Sequence, residues 1–183
     1  MRASTGQLTG SALQALLRDG TLAGDWILDP DRSGVRLTTK VFGFIPVNGV
    51  FGEVSGSGAV AADGTAGGII TIGAASIDTK NTRRDTHLRS ADFFETDRYP
   101  DIIFAAADIR PAGPGVAVTG ALTVHGRTQP LSFEAEVSIP GDGEVWLEAE
   151  VRIDRGDFGL TWNQLGMVPM GYTLIIHAVF TRR

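Results

Sequence analysis

From residue 25 onward, apolar and polar residues alternate with a period of two along most of the chain. The clearest run places apolar side chains at odd positions and serine or glutamate between them: Leu131, Phe133, Ala135, Val137 and Ile139. A second run, 143–155, repeats the pattern with its apolar residues again at odd positions. Strands with one apolar and one charged face are typical of antiparallel sheets that bury one side. The pattern therefore predicts an all-β domain.

The predicted strands follow one another with short connections rich in glycine, proline and aspartate. They cover residues 26–29, 33–43, 47–60, 67–77, 102–110, 115–124, 129–139, 143–155 and 172–182. Sequential strands joined by hairpins favour an up-and-down barrel or a sandwich. Closing the sheet removes exposed edges, and eight strands enclose room for one small ligand.

The run 47–60 contains a change of phase. Val47 and Phe51 place the apolar side at odd positions, whereas Val54 and Val60 place it at even positions. Because a shift of one residue turns every side chain to the other face, this change predicts a β-bulge near Gly52.

Two short helices are predicted outside the strands. Leu13, Leu16 and Leu17 follow Ser11 at helical spacing, which predicts an amphipathic helix capped by Ser11 and ending near Gly20. We interpret residues 1–24 as an appendage whose narrow apolar face docks on the barrel, and residues 25–183 as the barrel domain. Within that domain only 83–90 is predicted to be helical.

Length, charge and composition narrow the class of protein. At 183 residues the chain suits one domain, and its net charge of -5 argues against nucleic acid as a partner. The chain contains no cysteine, which excludes disulfides and thiolate chemistry. The apolar stretch 12–17 is too short for a signal peptide or a transmembrane segment, so we expect a cytoplasmic protein without a membrane span.

The sequence offers little evidence of catalysis. His87, His125 and His177 lack the spacing of metal ligands. The motifs of serine hydrolases, phosphate-binding loops and dinucleotide-binding folds do not occur. We therefore expect no enzyme, no catalytic residue, no metal and no cofactor other than a bound lipid.

One segment combines many specific polar residues. Six of them lie within ten positions, at a strand end and in the predicted short helix: Asp78, Thr79, Asn81, Arg84, Asp85 and His87. They could contact the polar head group of a ligand at the open end of the barrel. Alternatively, Asp78 or Thr79 could cap the helix and Arg84 could pair with an acid, which would make the cluster structural.

The order of motifs around this segment resembles the YceI-like family, also called polyisoprenoid-binding proteins. The resemblance rests on Ser76-Ile77-Asp78-Thr79, the pattern Asn81-x-x-Arg84-Asp85-x-His87-Leu88, Asp92-Phe93-Phe94, and Tyr99-Pro100-x-Ile102-x-Phe104. It extends to Trp26, Phe51, the segment 120–128 and Asp154-Arg155-Gly156-Asp157-Phe158-Gly159. The similar region covers about residues 25–180.

The resemblance implies an extended, lipocalin-like antiparallel barrel of eight up-and-down strands. It also implies binding, storage or transport of a long-chain isoprenoid or similar amphiphilic lipid, such as a polyprenyl phosphate or a quinone-type ligand. Combined with strand alternation, it predicts these tunnel-lining residues: Val35, Leu37, Phe51, Ile103, Ala105, Val118, Leu122, Phe133, Ala135, Val137, Leu147, Val151, Trp162, Leu174 and Ile176.

Two other functions stay open at the level of sequence. One is an enzyme acting on an amphiphilic lipid, with His87 and Asp85 as acid and base at the open end. The other is a stress-response or interaction protein with a filled interior and no ligand. The volume of the interior distinguishes them from a carrier. A homodimer also stays open, as do the identity and chain length of the ligand.

Overall fold

The structure is a computed structural model that describes residues 8–141 and 143–183, and it is mostly β. The first seven residues of the predicted appendage lie outside the described residues. The helices are α1 (Gly10–Arg18) and α2 (Thr82–Arg89). The strands are β1 (Gly24–Leu28), β2 (Gly34–Val41), β3 (Ile45–Phe51), β4 (Val54–Val60), β5 (Ala66–Gly73), β6 (Ile77–Asp78), β7 (Asp101–Ala112), β8 (Gly115–Val124), β9 (Arg127–Ser138), β10 (Glu144–Asp154) and β11 (Gly171–Arg182).

Eight antiparallel strands close into a barrel in the order β1, β4, β5, β7, β8, β9, β10 and β11, because β11 also pairs with β1. The remaining strands extend the sheet beyond this ring. One half of β11 pairs with β1 and the other half with β2, which continues through β3 to the short β6. The predicted eight-stranded up-and-down barrel is confirmed.

The change of phase near Gly52 is present, but it is a break between two strands with different partners and not the predicted β-bulge. β3 ends at Phe51 and β4 begins at Val54, and both of these side chains are buried. Between them, the Gly52 amide donates to the Ser76 carbonyl (3.4 Å) and the Glu53 amide donates to the Ser76 hydroxyl (3.1 Å). Ser76 thus satisfies the backbone groups that the sheet leaves unpaired, and the inward face changes from odd to even positions.

Helix α1 lies against one end of the barrel. Its apolar face is anchored by Leu13, which is 4% exposed. The backbone approaches the β7–β8 turn so closely that a Cβ atom on Gly10 would lie 2.2 Å from the Gly113 carbonyl oxygen. Docking of the apolar face is therefore confirmed. The predicted cap was wrong, because Thr9 rather than Ser11 accepts a hydrogen bond from the Ala12 amide (3.3 Å).

Helix α2 lies at the opposite end, where β6 leads into it, and the prediction of a helix over 83–90 is confirmed. Leu88, Phe93 and Phe94, in α2 and the turn after it, face the interior. Helices therefore close both ends of the barrel. Neither helix, among the residues that the structure describes, has the length and apolar character required to cross a membrane.

Candidate functional site: an apolar cavity inside the barrel

The barrel encloses a cavity of about 250 Å³ whose lining is almost wholly apolar. For comparison, a cavity of about 150 Å³ lined by aliphatic and aromatic side chains stays dry and takes up benzene. Among the residues that the structure describes, three in the lining have polar side chains other than the indole of Trp26: Ser57, Arg155 and Tyr172. The interior can therefore accept an apolar molecule but offers few polar contacts.

The cavity extends along the barrel from one helix to the other. Tyr172 and Phe180 both line it and lie eight residue steps apart on β11, which is about 26 Å at about 3.3 Å per residue. The end near α1 is closed by Leu13, Leu22 and Trp26. The Trp26 indole N–H donates to the Leu22 carbonyl (3.1 Å), which satisfies the one polar group of that ring. An elongated apolar molecule matches this shape.

Most of the predicted tunnel-lining residues line this cavity. They are Val35, Leu37, Phe51, Val118, Leu122, Phe133, Ala135, Val137, Leu147, Val151, Leu174 and Ile176. Their placement follows from strand alternation. Contact of these residues with a ligand stays a prediction.

Ile103 and Ala105 do not belong to the lining, so their predicted placement was wrong. In β7 the inward residues are instead Ile102, Phe104 and Ala106. A β-bulge shifts the register between Ala106 and Asp108. Odd-numbered residues such as Ile109 therefore face inward after the bulge, whereas even-numbered residues face inward before it.

The predicted interior position of Trp162 was also wrong. This residue follows β10 in an irregular segment, where strand alternation gives no information. Its ring packs outside the cavity against His87 and Phe93, with centroid distances of 4.5 and 5.3 Å. Trp162 therefore covers the turn after α2.

The polar cluster around α2 is centred on the buried Asp85, which is 6% exposed. Its carboxylate accepts hydrogen bonds from the Thr79 amide (3.0 Å) and the Thr79 hydroxyl (2.5 Å). Arg84 donates to the same hydroxyl through Nε (2.8 Å) and to the Thr79 carbonyl through Nη2 (2.9 Å). Arg84 thus reaches the acid through Thr79, and not by the direct pair that was one alternative in the sequence analysis.

The helix cap also differs from the alternative that the sequence offered. Asn81, rather than Asp78 or Thr79, caps α2, because its side-chain oxygen accepts from the Arg84 amide (3.0 Å). Asp78 accepts from the backbone and side-chain nitrogens of Lys80 (2.7 and 2.6 Å). These hydrogen bonds lower the pKa of the Asp78 carboxyl below its ordinary value.

His87 completes the cluster on the outer side of α2. Its Nε2 lies 2.9 Å from Oδ2 of Asp92, and its ring meets Trp162 edge to face. All six predicted head-group residues lie outside the cavity lining that the structure describes. Their hydrogen bonds hold α2 on the barrel, and contact with a ligand head group stays a prediction for them.

Replacing Asp85 with alanine is expected to destabilise the protein by about 1–3 kcal/mol. The change leaves the Thr79 amide and hydroxyl buried without their acceptor, and an unsatisfied buried donor costs that much. Urea unfolding measures the difference. The matched control is Asp78→Ala, which removes an exposed pair with Lys80 and should cost less than about 1 kcal/mol. Equal losses in the two variants would contradict a bracing role for Asp85.

Arg155 is a charged cavity-lining residue that the site prediction missed, as it missed Tyr172 and Ser57. It is 3% exposed, and its guanidinium donates to backbone carbonyls of the segment 160–170: Pro169 (2.9 Å), Val168 (3.2 Å) and Leu160. The guanidinium carbon lies 5.8 Å from the centre of the Phe93 ring. The sequence did carry a signal, because alternation along the predicted strand 143–155 places Arg155 on the same face as Val151.

Tyr172 lies beside Arg155 at the same end of the cavity. Burial raises the pKa of the Tyr172 hydroxyl, and the Arg155 charge lowers it in part. The hydroxyl therefore keeps its proton at neutral pH and can donate a hydrogen bond. No set of three or more metal-binding side chains occurs within residues 8–141 and 143–183.

A closed eight-stranded barrel around an elongated apolar cavity defines a lipocalin-like architecture. The family model of the YceI-like domain matches residues 26–180. The chain belongs to the YceI-like family.

Curated relatives agree with this assignment. Protein YceI of Escherichia coli O6:H1 is 38% identical over 113 residues, a match that covers 58% of each chain. The chain thus spans 58% of the length of that relative. A UPF0312 protein of Enterobacter is 31% identical over 182 residues, which is 93% of this chain and 94% of the relative.

Solved structures share the fold. BcnA of Burkholderia cenocepacia superposes with a TM-score of 0.76 at 23% identity, covering 83% of this chain and 98% of BcnA. A polyisoprenoid binding domain from Saccharophagus degradans, implicated in plant cell wall breakdown, gives a TM-score of 0.69 at 15% identity. That match covers 86% of this chain and 98% of the domain.

Proposed function

We propose that this protein binds a long-chain isoprenoid or similar amphiphilic lipid inside the barrel and stores or carries it. The observation that carries the proposal is the elongated apolar cavity between α1 and α2. Each methylene group that moves from water into such an interior contributes about 0.8 kcal/mol. Membership of the YceI-like family and the polyisoprenoid-binding relative of the same fold support the same class of ligand.

The alternative functions have less support. The acid and base considered for an enzyme are Asp85 and His87, and both are engaged outside the cavity, with Thr79 and Asp92 respectively. A ligand-free protein would be expected to fill its interior with side chains to native density, and a cavity of about 250 Å³ argues against this. We therefore favour a binding protein over an enzyme or a ligand-free interaction protein.

The expected affinity is high enough for the ligand to survive purification. A ligand of about 40 heavy atoms at about 0.3 kcal/mol per atom gains about 12 kcal/mol. That free energy corresponds to a dissociation constant near 1 nM. Protein purified under native conditions is then expected to retain its lipid.

Organic extraction of natively purified protein, followed by mass spectrometry, tests the proposal. We expect about one amphiphile with a long isoprenoid or similar chain per protein molecule. Protein that is unfolded, delipidated and refolded serves as the control, and it should take up added geranylgeraniol. Extracts without stoichiometric lipid, together with refolded protein that binds no geranylgeraniol, would reject the carrier function.

A further inference from the structure

Large apolar side chains are exposed to solvent at the end of the barrel where α2 lies. Phe42, Phe44 and Ile45 are exposed at the turn between β2 and β3, and Phe44 is 74% exposed. Leu165, in the loop between β10 and β11, is 88% exposed. The turn and the loop lie side by side, because the Phe42 amide donates to the Met167 carbonyl (3.3 Å). We call these four exposed apolar side chains the apolar tip.

Two residues of the apolar tip hold unfavourable backbone conformations. Phe42 and Leu165 have φ angles of 55° and 56°, in the left-handed region that costs a bulky side chain more than it costs glycine or asparagine. Neither side chain gains burial in return. A strained backbone that presents a large apolar side chain to water does not favour folding, so these positions indicate a binding role.

Helix α2 lies beside the apolar tip. β3, the strand after the exposed turn, pairs with β6, which comes directly before α2. On the other side Trp162, three residues before Leu165, packs against His87 of α2. The apolar tip and α2 therefore belong to one continuous surface.

The local charge of this surface is basic, although the net charge of the chain is -5. The segments 32–52 and 158–183 contain none of the 21 aspartate and glutamate residues of the chain. The segment 78–90, which includes α2, has four lysine or arginine residues and two aspartates. Exposed charges farther apart than about 8 Å are largely screened at physiological ionic strength, so the local charges decide what this end attracts.

Lys40 and Arg83 are exposed cations of this surface that stay available to a partner. In the part of the chain that the structure describes, no carboxylate lies within 4.0 Å of either side-chain charge. Three acids at the same end are already engaged: Asp78 with Lys80, Asp92 with His87, and Asp154 with the Gly156 amide. Exposed apolar side chains beside free cations match a surface with anionic head groups over an apolar interior.

The barrel wall is held by few backbone pairings at this end. Within the described chain, β9 and β10 pair at three positions, from Trp146 to Glu148, all in the halves nearer α1. The halves nearer α2, 127–135 and 149–154, do not pair with each other, and residues of both line the cavity. The cavity wall is thus easiest to separate at the end where the apolar tip lies.

We propose that the apolar tip inserts into a lipid bilayer with anionic head groups, with Lys40 and Arg83 at the level of the phosphates. The inference goes beyond the proposed lipid binding, because it concerns the outer surface of the barrel and a membrane as its partner. Side chains on narrow turns enter the head-group region of a bilayer without a large flat contact. Docking in this orientation brings the weakly paired halves of β9 and β10 to the membrane.

Flotation of the natively purified protein with phosphatidylcholine vesicles, with and without phosphatidylglycerol, tests the proposal. We expect binding to be about tenfold stronger to the anionic vesicles, since each cation near such a surface contributes about fivefold. Lys40→Ser and Arg83→Ser should each remove about that factor. Phe44→Ser and Leu165→Asn should each weaken binding to both kinds of vesicle about tenfold, through loss of apolar burial.

The matched control is Ile69→Thr, which removes an exposed apolar side chain from β5 in the barrel wall and should leave vesicle binding unchanged. Leu165→Asn also separates docking from a structural role, because asparagine adopts the left-handed conformation more readily than leucine. Its midpoint of urea unfolding should stay the same or rise while vesicle binding falls. A lower midpoint at unchanged vesicle binding would overturn the proposal.

Native protein that does not float with anionic vesicles would overturn it too. So would a dimer in sedimentation equilibrium that Leu165→Asn dissociates without any vesicle binding, since the apolar tip would then join two copies of the chain. Neither result changes the lipid recovered by organic extraction, so the proposed function is tested separately.

Discussion

Ala135→Trp is expected to shorten the lipid recovered from the protein while the barrel stays folded. Ala135 lines the cavity, and its strand register places it opposite Val116, close to the end that α1 covers. An indole at this position would fill part of the cavity near α1. A lipid that extends along the cavity would then have room for a shorter chain.

The stability of this variant separates an open cavity from a packed core. Extra volume in a full core costs about 1–3 kcal/mol, whereas an indole in open apolar space costs little. Extraction with mass spectrometry measures chain length, and urea unfolding measures stability. Glu134→Trp is the matched control, because it adds the same side chain to the outer face of β9 and should leave the lipid profile unchanged.

An Ala135→Trp protein that loses several kcal/mol and still yields the lipid profile of the native protein would contradict the cavity interpretation. It would mean that Ala135 packs against a solid interior. The lipid would then have to bind elsewhere, and the carrier function would lose its main structural support.

The strand pattern predicted most of the fold because one face of each barrel strand is buried in the interior and the other is exposed to solvent. In β9 the inward residues Phe133, Ala135 and Val137 alternate with exposed serine and glutamate, and only one register buries the apolar set. The same logic located the change of phase at Gly52, where β3 gives way to β4. A change of phase can be detected in the sequence when large apolar residues lie on both sides of it.

The phase of β7 could not be read in this way. Ile102 and Ile103 are equally apolar, and the alanines that follow give no contrast between the two faces. The bulge between Ala106 and Asp108 then reversed which positions face inward. The small alanines at this point do not distinguish the two faces, so the reversal could not be detected in the sequence. Alternation identifies a strand reliably, but it assigns the inward face only where the two faces differ in polarity.

The six polar residues that the sequence singled out lie outside the cavity lining, because the local density of polar residues was taken as the signal. Side chains that are close in sequence satisfy one another locally, as Thr79 and Asp85 do. A polar group inside an apolar cavity is instead isolated among apolar neighbours. Arg155 comes two positions after Ile153, directly after the end of β10, and its isolation within an apolar series was the better indicator of a polar side chain in the cavity lining.

Leu13→Ala is expected to destabilise the protein by about 2–5 kcal/mol, the usual cost of such a truncation in a core. Leu13 is 4% exposed and closes the α1 end of the cavity together with Leu22. The shorter side chain weakens the docking of α1 and opens a path to the cavity. Urea unfolding measures the stability, and the rate at which vesicles take up bound geranylgeraniol measures the opening.

The matched control is Gln14→Ala, one position along α1 on its exposed face, which should change neither quantity. A loss confined to Leu13→Ala would make α1 part of the barrel domain, since its side chain would contribute to the same cooperative unfolding as the strands. A variant as stable as the native protein would show that α1 leaves the barrel in solution. Residues 1–24 would then be a separable appendage, and the cavity would be open at that end without any conformational change in the barrel.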